Sequence, residues 1–277
     1  MRVLVVGDVA VDVLVTPSAS VAPGADVPAR IRTRPGGAGA NTAVWLAQLV
    51  AAVILAARVG DDAPGHAAAA SLRAAGVTPH VAVDRDALTA TVVALLTNAE
   101  RTLLSDRGAA ARLAPSDLPP LDGVTHVHVS GYVLLDPLSR AAGLAALAAA
   151  RVAGASTSVD PQAAPALGPA FLRDVSGIDL LLPNAEELSA LGGEAAALRY
   201  VRTVATTHGA AGATWADVRG HWSVSAPQQR VQDATGAGDA FNAGVLMAWL
   251  RGKDPPTALK AGCAAAAAAL AQEGARP

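Results

Sequence analysis

The sequence predicts an α/β fold with a mostly parallel central sheet that is flanked by helices on both faces. Strand-like and helix-like segments alternate throughout the 277 residues, which is the pattern of βαβ units. The first segment, residues 3–6, is a continuous apolar run of the kind that a strand covered on both faces requires. The chain shows no internal repeat and no linker between two halves. We therefore expect a single domain over residues 1–277.

The composition restricts the class of protein. Hydrophobic residues make up 52% of the chain, enough for a sizeable core, and the net charge of -2 comes without a basic run. We therefore expect no nucleic acid as a partner. Because no apolar run reaches the roughly 18 to 20 residues that cross a bilayer, we expect no membrane partner and a cytoplasmic protein. The single cysteine, Cys263, excludes an internal disulfide.

Polar residues follow the first predicted strand, and a small flap follows them. The strand delivers Gly7-Asp8 to the sheet edge where α/β folds bind ligands, so Asp8 and Asp12 either bind hydroxyl groups or are turn and surface residues. Residues 13–34 lose the helical period and contain several prolines, which indicates strands that stand off the main sheet. Residues 80–97, β-branched towards their end, complete this predicted flap.

The remaining elements follow from apolar runs, helical spacing and capping signals. Further strands are predicted at 52–58, 124–130, 156–159, 178–182 and 201–207, with a hairpin around Trp215 and residues 221–223. Helices are predicted at 64–75 with Gly76 as cap, at 138–152, and after Asp254-Pro255-Pro256 with Gly274 closing the last helix. His126 and His128 share a strand face without cysteine or carboxylate partners nearby, so no zinc site is expected.

The glycine turn Thr235-Gly236-Ala237-Gly238 carries the most chemistry. It leads into a helix, because Phe241, Val245 and Trp249 are spaced four residues apart. The N–H groups of a first helical turn have no intrahelical partners and can bind an anion. Asp239 would repel that anion. We therefore interpret it as a base that deprotonates a hydroxyl attacking a phosphoryl group, with a residue that merely complements the helix dipole as the alternative.

Three further polar groups lie at strand ends or helix starts. Asn41 lies in the first turn of the helix that Pro35-Gly-Gly-Ala-Gly-Ala opens, where its amide can bind sugar-type hydroxyls. Asn184 and Glu187, three apart at a helix start, either hold a hydrated Mg²⁺ beside nucleotide phosphates or form a capping box. The turn Thr207-His-Gly-Ala-Ala-Gly212 follows a strand. One cleft at the sheet edge can collect all of them.

Beyond the flap, Arg101 and Arg107 precede a turn. These two arginines either reach into the same cleft or are solvated turn residues.

Four of these motifs occur together in one known family. The run from Asp233 to Asp239 resembles the signature of the ribokinase or PfkB family of carbohydrate kinases, and Gly36-Gly-Ala-Gly-Ala-Asn41 resembles its N-terminal signature. Pro183-Asn-Ala-Glu-Glu187 resembles the family's Asn-x-x-Glu motif, and the turn from Thr207 to Gly212 its nucleotide turn. The resemblance covers nearly the whole chain. It implies a ribokinase-like fold in which the flap, approximately 13–34 and 80–97, is a small β-strand lid.

The resemblance also implies an activity and a set of roles. The activity is ATP-dependent phosphorylation of a primary hydroxyl on a small sugar or sugar derivative, or alternatively on a nucleoside. Asp239 would be the base, and the N–H groups of Gly236, Ala237 and Gly238 the anion hole. The binding roles fall on Asp12, Gly37 and Asn41 for the substrate, on Asn184, Thr207, Gly209 and Gly212 for the nucleotide, on Glu187 for Mg²⁺, and on Asp233 and Thr235 for a monovalent cation such as K⁺. The lid often mediates a homodimer.

Departures from the family pattern and the motifs of competing folds narrow the function further. Ala38 stands where ribokinase-like members carry a lysine, and Ala110 where an asparagine is often found, so ribose is not implied as the acceptor. A Rossmann dehydrogenase is excluded because Gly7-Asp8-Val9 lacks its glycine pattern, and a P-loop enzyme because Gly252-Lys253 is followed by an aspartate. A non-catalytic metabolite sensor on the same fold remains the alternative from another class.

Overall fold

The computed structural model of the protein describes residues 1–49, 52–97 and 100–277, without the side chains of residues 100 and 101, so the prediction for Arg101 lies outside the described residues. The described strands are β1 (Arg2–Val6), β2 (Ala10–Pro17), β3 (Ala29–Gly36), β4 (Ala52–Gly60), β5 (Val77–Asp84), β6 (Ala90–Thr97), β7 (Glu100–Asp106), β8 (His126–Ser130), β9 (Ser156–Asp160), β10 (Leu180–Leu181), β11 (Thr203–Thr207), β12 (Ala213–Asp217) and β13 (Gly220–Val224). The described α-helices are α1 (Ala38–Ala47), α2 (Ala63–Ala74), α3 (Gly131–Leu135), α4 (Arg140–Val152), α5 (Pro169–Asp174), α6 (Ala185–Ala190), α7 (Glu194–Ala197), α8 (Ala237–Leu250) and α9 (Pro255–Leu270).

The large sheet has the strand order β13-β12-β11-β10-β9-β8-β1-β4-β5. Its strands are parallel, apart from β12, which runs antiparallel to both β11 and β13 at one edge. Alternate residues of β1 enter two different cores, because successive side chains of a strand point to opposite faces. Val3 packs with α1, α8 and α9, whereas Leu4 packs with α3, α4 and α5. The prediction of a mostly parallel sheet with helices on both faces is confirmed.

The small sheet has the strand order β3-β2-β6-β7 and corrects the predicted flap. The sequence predicts residues 80–84 as part of the flap, but they belong to β5, which pairs parallel with β4 in the large sheet. Their alternation indicates a strand but does not say which sheet it joins. The segment 13–34 extends further than predicted, since β2 begins at Ala10 and β3 ends at Gly36. Strand β7 was not predicted.

The end of the last helix also differs from the prediction. Asp254 caps α9 as expected by accepting a hydrogen bond from the Thr257 N–H at 2.8 Å. The helix ends at Leu270, however, so Gly274 does not close it. Instead the N–H of Gly274 donates to Asp233 Oδ2 at 3.0 Å. Helices α3, α5 and α7 were not predicted, because four to six residues are too few to show a helical period.

The buried histidines are structural residues of the sheet. Both rings of His126 and His128 are hydrogen-bonded to Ser158 Oγ on β9, each at 2.8 Å. Burial lowers the pKa of His126 to about 3 and that of His128 to about 4, so both are neutral at pH 7. In the described part of the chain, no group of three or more His, Cys, Asp or Glu side chains is arranged to hold a metal ion. No described helix is long and apolar enough to span a membrane.

Helices α8 and α9 cross so closely that glycine is required at the crossing. A β-carbon added at Gly244 of α8 would lie 2.5 Å from the carbonyl oxygen of Ala261 in α9. One added at Gly262 would lie 2.5 Å from Val245 Cγ2. The two helices therefore pack with their backbones almost in contact.

We predict that Gly244→Ala destabilises the protein. Overpacking of this kind costs about 1–3 kcal/mol, which exceeds the gain of up to about 1 kcal/mol from the better helix propensity of alanine. Denaturant titration should show a net loss in the free energy of unfolding. Gly238→Ala is the control in the same helix, since its β-carbon would meet nothing within 4 Å. An equal loss in both variants would contradict the close crossing.

Candidate active site

The end of β1 meets the start of α1 at a contact between two glycine backbones. A β-carbon at Gly39 would lie 2.5 Å from the α-carbon of Gly7, so no larger residue fits there. Gly37, which precedes α1, has φ +93, a conformation that favours glycine. The carboxylate of Asp8 accepts from the Gly39 N–H at 3.2 Å and from Ser130 Oγ at 3.3 Å. This contact places Asn41 of α1 over the C-terminal edge of the parallel strands.

The first turn of α8 is open towards the same edge. Gly236 precedes the helix with φ +76, and a β-carbon there would lie 2.6 Å from the carbonyl oxygen of Ala275. Within the described residues no side chain caps this helix, and both Ala237 and Gly238 line a cavity. The Ala237 N–H makes a long bond of 3.4 Å to the Ala234 carbonyl. An anion could displace this bond and bind at the first turn, with the positive end of the helix dipole behind it.

Asp239 lies in that first turn and is held by Asn41. Its side chain is only 8% exposed, and its Oδ2 accepts from Asn41 Nδ2 at 3.0 Å. Burial raises the pKa of Asp239 to about 7, with a further rise from the charge of Asp8 and an opposing effect of the Asn41 hydrogen bond. A carboxyl group with this pKa can take up and release a proton near neutral pH. A residue that only complements the helix dipole would not need to be buried.

Arg276 lies beside Asn41, and no motif in the sequence pointed to it. Its Nε donates to Asn41 Oδ1 at 2.9 Å, and its Nη2 donates to the Gly36 carbonyl at 2.6 Å. Burial lowers the pKa of Arg276 to about 10, although Asp12, Asp239 and Asp8 favour its charged form. Of the substrate-binding residues predicted from the sequence, Asn41 bonds to this guanidinium group and Asp12 interacts with its charge, whereas Gly37 follows the Gly36 carbonyl that the group binds.

A cavity of about 580 Å³ lies beside the start of α8, within the size range of small-molecule sites. Thr207, Gly209 and Gly212 line it together with Ala237 and Gly238 of the first turn of α8. The structure thus brings the predicted nucleotide turn and two residues of the predicted anion hole, Ala237 and Gly238, to one cavity, whereas Gly236 does not line it. Asn184 lies beside it, because it forms a parallel bridge with Thr207.

Asn184 and Glu187 form the capping box. Asn184 Oδ1 accepts from the Glu187 N–H at 2.8 Å, and Glu187 Oε2 accepts from the Asn184 N–H at 2.9 Å. The structural alternative is therefore present, but this bond uses only one oxygen of the Glu187 carboxylate. Burial raises the pKa of Glu187, and burial together with the charges of Glu187 and Asp239 raises that of Asp160.

These carboxylates fit a Mg²⁺ ion. A divalent cation would relieve the repulsion between the buried groups of Glu187 and Asp160, and Mg²⁺ prefers oxygen ligands. Because Mg²⁺ commonly keeps several waters and binds substrate phosphates, one or two carboxylates are sufficient. The Mg²⁺ role of Glu187 is compatible with its capping role and stays a prediction.

The residues predicted to bind a monovalent cation, Asp233 and Thr235, lie next to the segment that follows α9. Asp233 Oδ1 accepts from the Thr235 N–H at 2.9 Å, and its Oδ2 accepts from the Gly274 N–H. A cavity of about 10 Å³, lined by these residues and by Arg34, lies there. That volume is about enough for a single water-sized occupant. The K⁺ site stays a prediction, with the guanidinium of Arg34 already at its border.

The strand ends add further residues that the sequence did not single out. Gln162 and Ala163, after β9, have φ 54 and φ 47, a left-handed conformation that costs about 1–3 kcal/mol and clusters at functional sites. Gln162 Oε1 accepts from Ser130 Oγ at 2.7 Å. The only sign of Gln162 is its strained turn after β9, and a sequence does not show such a turn.

Arg107, by contrast, was singled out in the sequence. It is not a solvated turn residue, because its side chain is 25% exposed, pairs with Asp136 and lies over the ring of Tyr132.

Comparison with known proteins agrees with this arrangement. The family model of the pfkB family carbohydrate kinases matches residues 1–277. A fructokinase of Klebsiella pneumoniae is 34% identical over 266 residues, which cover 88% of this chain and 83% of the fructokinase. An ATP-dependent ribose-1-phosphate kinase of Halopiger xanaduensis is 32% identical over 291 residues, covering 100% of this chain and 94% of that enzyme. The structure of an adenosine kinase from Sinorhizobium meliloti has a TM-score of 0.88 at 24% identity, covering 100% and 95% of the two chains.

The fold and the relatives define a kinase of small molecules. The chain belongs to the pfkB family of carbohydrate kinases, and its fold is ribokinase-like. It is an ATP-dependent kinase of the carbohydrate kinase family. The resemblance found in the sequence is thereby confirmed, and the metabolite sensor is set aside.

We predict that Asp239→Asn stabilises the folded protein at alkaline pH. The pKa of Asp239 lies above its ordinary value of 3.8, so ionisation costs stability, fully above pH about 7 and not at all below pH about 4. The upper limit is about 4 kcal/mol, from about 1.36 kcal/mol per pKa unit. Chemical denaturation at about pH 8.5 and about pH 4.5 measures the difference between the two proteins.

The matched control is Asp254→Asn, at the N-cap of α9. Hydrogen bonding to Thr257 lowers the pKa of Asp254, so losing its charge brings no gain at alkaline pH. A difference between wild type and Asp239→Asn that is the same at both pH values would show that Asp239 does not carry a raised pKa.

Proposed function

We propose that this kinase transfers the γ-phosphoryl group of ATP to a primary hydroxyl group, the hydroxymethyl group of a small sugar or sugar derivative. The observation that carries the proposal is the position of Asp239. Its buried carboxyl accepts from Asn41, and Gly238, the residue before it, lines the cavity that Gly209 and Gly212 also line. We infer that an acceptor on the Asn41 side and a nucleotide in that cavity would meet at this carboxyl. A base between an acceptor and a phosphate donor is what in-line phosphoryl transfer requires.

In the proposed reaction, the acceptor hydroxyl donates its proton to the Asp239 carboxylate while its oxygen bonds to the γ-phosphorus of ATP. The bond from that phosphorus to the bridging oxygen breaks, and ADP leaves with the electron pair. The N–H groups of Gly236, Ala237 and Gly238 donate to the transferred phosphoryl oxygens, where preorganised donors need no reorganisation. A Mg²⁺ ion held by Glu187 would neutralise the charge of the nucleotide phosphates.

The acceptor is proposed to bind on the Asn41 side. Asp12 lies on β2 of the small sheet, and Gly37 directly follows β3 of the same sheet, so we propose that this sheet is a lid over the acceptor. Exposed Ile31, Leu103 and Leu104 on β3 and β7 favour a homodimer through the same sheet. Consumption of ATP is consistent with a cytoplasmic enzyme. A nucleoside acceptor is the alternative, favoured by the similarity to an adenosine kinase structure.

A panel of acceptors decides between these classes. Hexoses, pentoses, sugar phosphates, sugar acids and nucleosides should be screened for ADP release with Mg²⁺ present, with and without K⁺. Turnover with a sugar or sugar derivative supports the first proposal, and turnover with nucleosides alone supports the alternative. Transfer to a secondary hydroxyl in the isolated product would contradict the proposed hydroxymethyl acceptor.

We predict that Asp239→Asn lowers kcat for the best acceptor by roughly 10²–10⁴, the range attributed to general base catalysis. ATP affinity, measured by calorimetry, should be preserved or rise, because the anion hole consists of backbone N–H groups. Asp254→Asn serves again as the control and should keep its kcat. A near-normal kcat for Asp239→Asn would remove the base from the mechanism.

We also predict that Glu187→Gln weakens the response of turnover to Mg²⁺, measured as a titration of kcat with the Mg²⁺ concentration. The amide oxygen of the introduced glutamine can still accept from the Asn184 N–H, so the capping box and the melting temperature should be retained. Glu186→Gln changes the same charge one residue away, on an exposed side chain, and should leave the Mg²⁺ titration unchanged. If Glu187→Gln lowers the melting temperature but leaves the Mg²⁺ titration as in the wild type, Glu187 only caps α6.

A further inference from the structure

The segment 272–276 joins three parts of the site. The carbonyl of Ala275 accepts from Trp45 Nε1 of α1 at 2.9 Å, and Gly274 is bound to Asp233 before the glycine turn. Glu273 forms ion pairs with Arg32 and Arg34 of β3. Helix α1, the glycine turn and the small sheet therefore all fix the backbone from which Arg276 projects.

Arg276 determines which way the Asn41 amide faces. A guanidinium group only donates hydrogen bonds, so it is Asn41 Oδ1 that must face Arg276 Nε. The amide nitrogen then faces Asp239, whose ionised carboxylate only accepts. The second bond from Arg276, to the Gly36 carbonyl, fixes the plane of the guanidinium. A chain of directed hydrogen bonds thus runs from Gly36 through Arg276 and Asn41 to Asp239.

Arg276 is the cation that this chain of hydrogen bonds brings close to Asp239. The acidic groups that face Asp239 are Asp8 after β1, Asp12 near the start of β2 and Asp160 at the end of β9, and Tyr132 faces it from α3. Arg276 opposes them from the C-terminal segment, because its charge favours the ionised form of Asp239. The Nη1 of Arg276 is buried and has no hydrogen-bond partner in the described part of the chain. An oxygen atom of the acceptor can fill that position.

We propose that Arg276 is a positioning residue for the base: it holds Asn41 so that the amide donates to Asp239, and it supplies the positive charge beside the ionised carboxylate. This inference rests on the proposed function, in which Asp239 is the base. Arg276, which lies outside the four motifs in the segment after α9, thereby sets part of the acidic limb of the pH–activity profile.

The test is the pH dependence of kcat/KM for the best acceptor from the panel. In Arg276→Gln the acidic limb should move to higher pH by roughly one unit or more, the size of effect that a nearby opposite charge has on a carboxyl group. At alkaline pH, where the base is ionised in either protein, the activity should recover to within roughly tenfold of the wild type. Arg276→Lys should restore part of the shift, because it keeps the charge without the planar fork.

Two further variants separate positioning from a general loss of charge. Arg251→Gln removes a positive charge at the end of α8, where Arg251 donates to the Leu49 carbonyl, and should leave the limb in place. Asn41→Leu removes the amide through which Arg276 acts. In that background Arg276→Gln should shift the limb less than it does in the wild type, because residues in one network are not additive.

The outcomes are distinct. An unchanged acidic limb in both folded Arg276 variants, checked by melting curves, overturns the inference while the proposed function stands if Asp239→Asn is inactive. If Arg276→Gln does not fold, the Arg276→Lys profile and its shift in the Asn41→Leu background decide. Full activity of Asp239→Asn would instead overturn the proposed function, since the limb would then not report that residue.

Discussion

The hydrogen bond between Asn41 and Asp239 is the contact on which the site depends. It joins the first turns of α1 and α8 through two residues that are 198 positions apart in the chain, and both helices follow a glycine turn. Each helix can begin here only because a glycine with positive φ precedes it, Gly37 in one case and Gly236 in the other. The bond therefore brings an amide donor to a buried carboxyl group at the edge where the parallel strands end.

From this bond the two halves of the site follow. The small residues after Thr207 and the first turn of α8 line a cavity beside the start of α8, large enough for a nucleotide. Around Asn41, Arg276 bonds to the amide oxygen and Asp12 interacts with the charge of Arg276. Burial raises the pKa of Asp239, whereas Asn41 and Arg276 lower it, and the resulting pKa is about 7. The same desolvation that destabilises the folded state thus gives the group a pKa suited to the proposed proton transfer.

Much of the fold could be read from the chain because local patterns reflect local geometry. Apolar runs such as that of β1 are typical of strands covered on both faces, and Asp254-Pro255-Pro256 marks the start of α9. The sequence did not show which strands pair or which groups bond to each other. Residues 80–84 show a strand pattern that fits either sheet, and only pairing with β4 decides between them. Gly274 looked like the end of a helix, but its N–H binds Asp233 instead.

The family, the parallel α/β architecture and the glycine turns with Asn41, Asn184, Glu187 and Asp239 could be identified from the chain, because they occur as contiguous motifs whose spacing survives without a structure. Which groups share an environment emerged only once the chain was folded. The pKa of Asp239 depends on burial and on charges from distant parts of the chain, and Arg276 carries no local pattern at all. Electrostatic interactions and hydrogen bonds depend on distances in space, so they can be identified only once the fold has brought the strand ends together at one edge of the sheet.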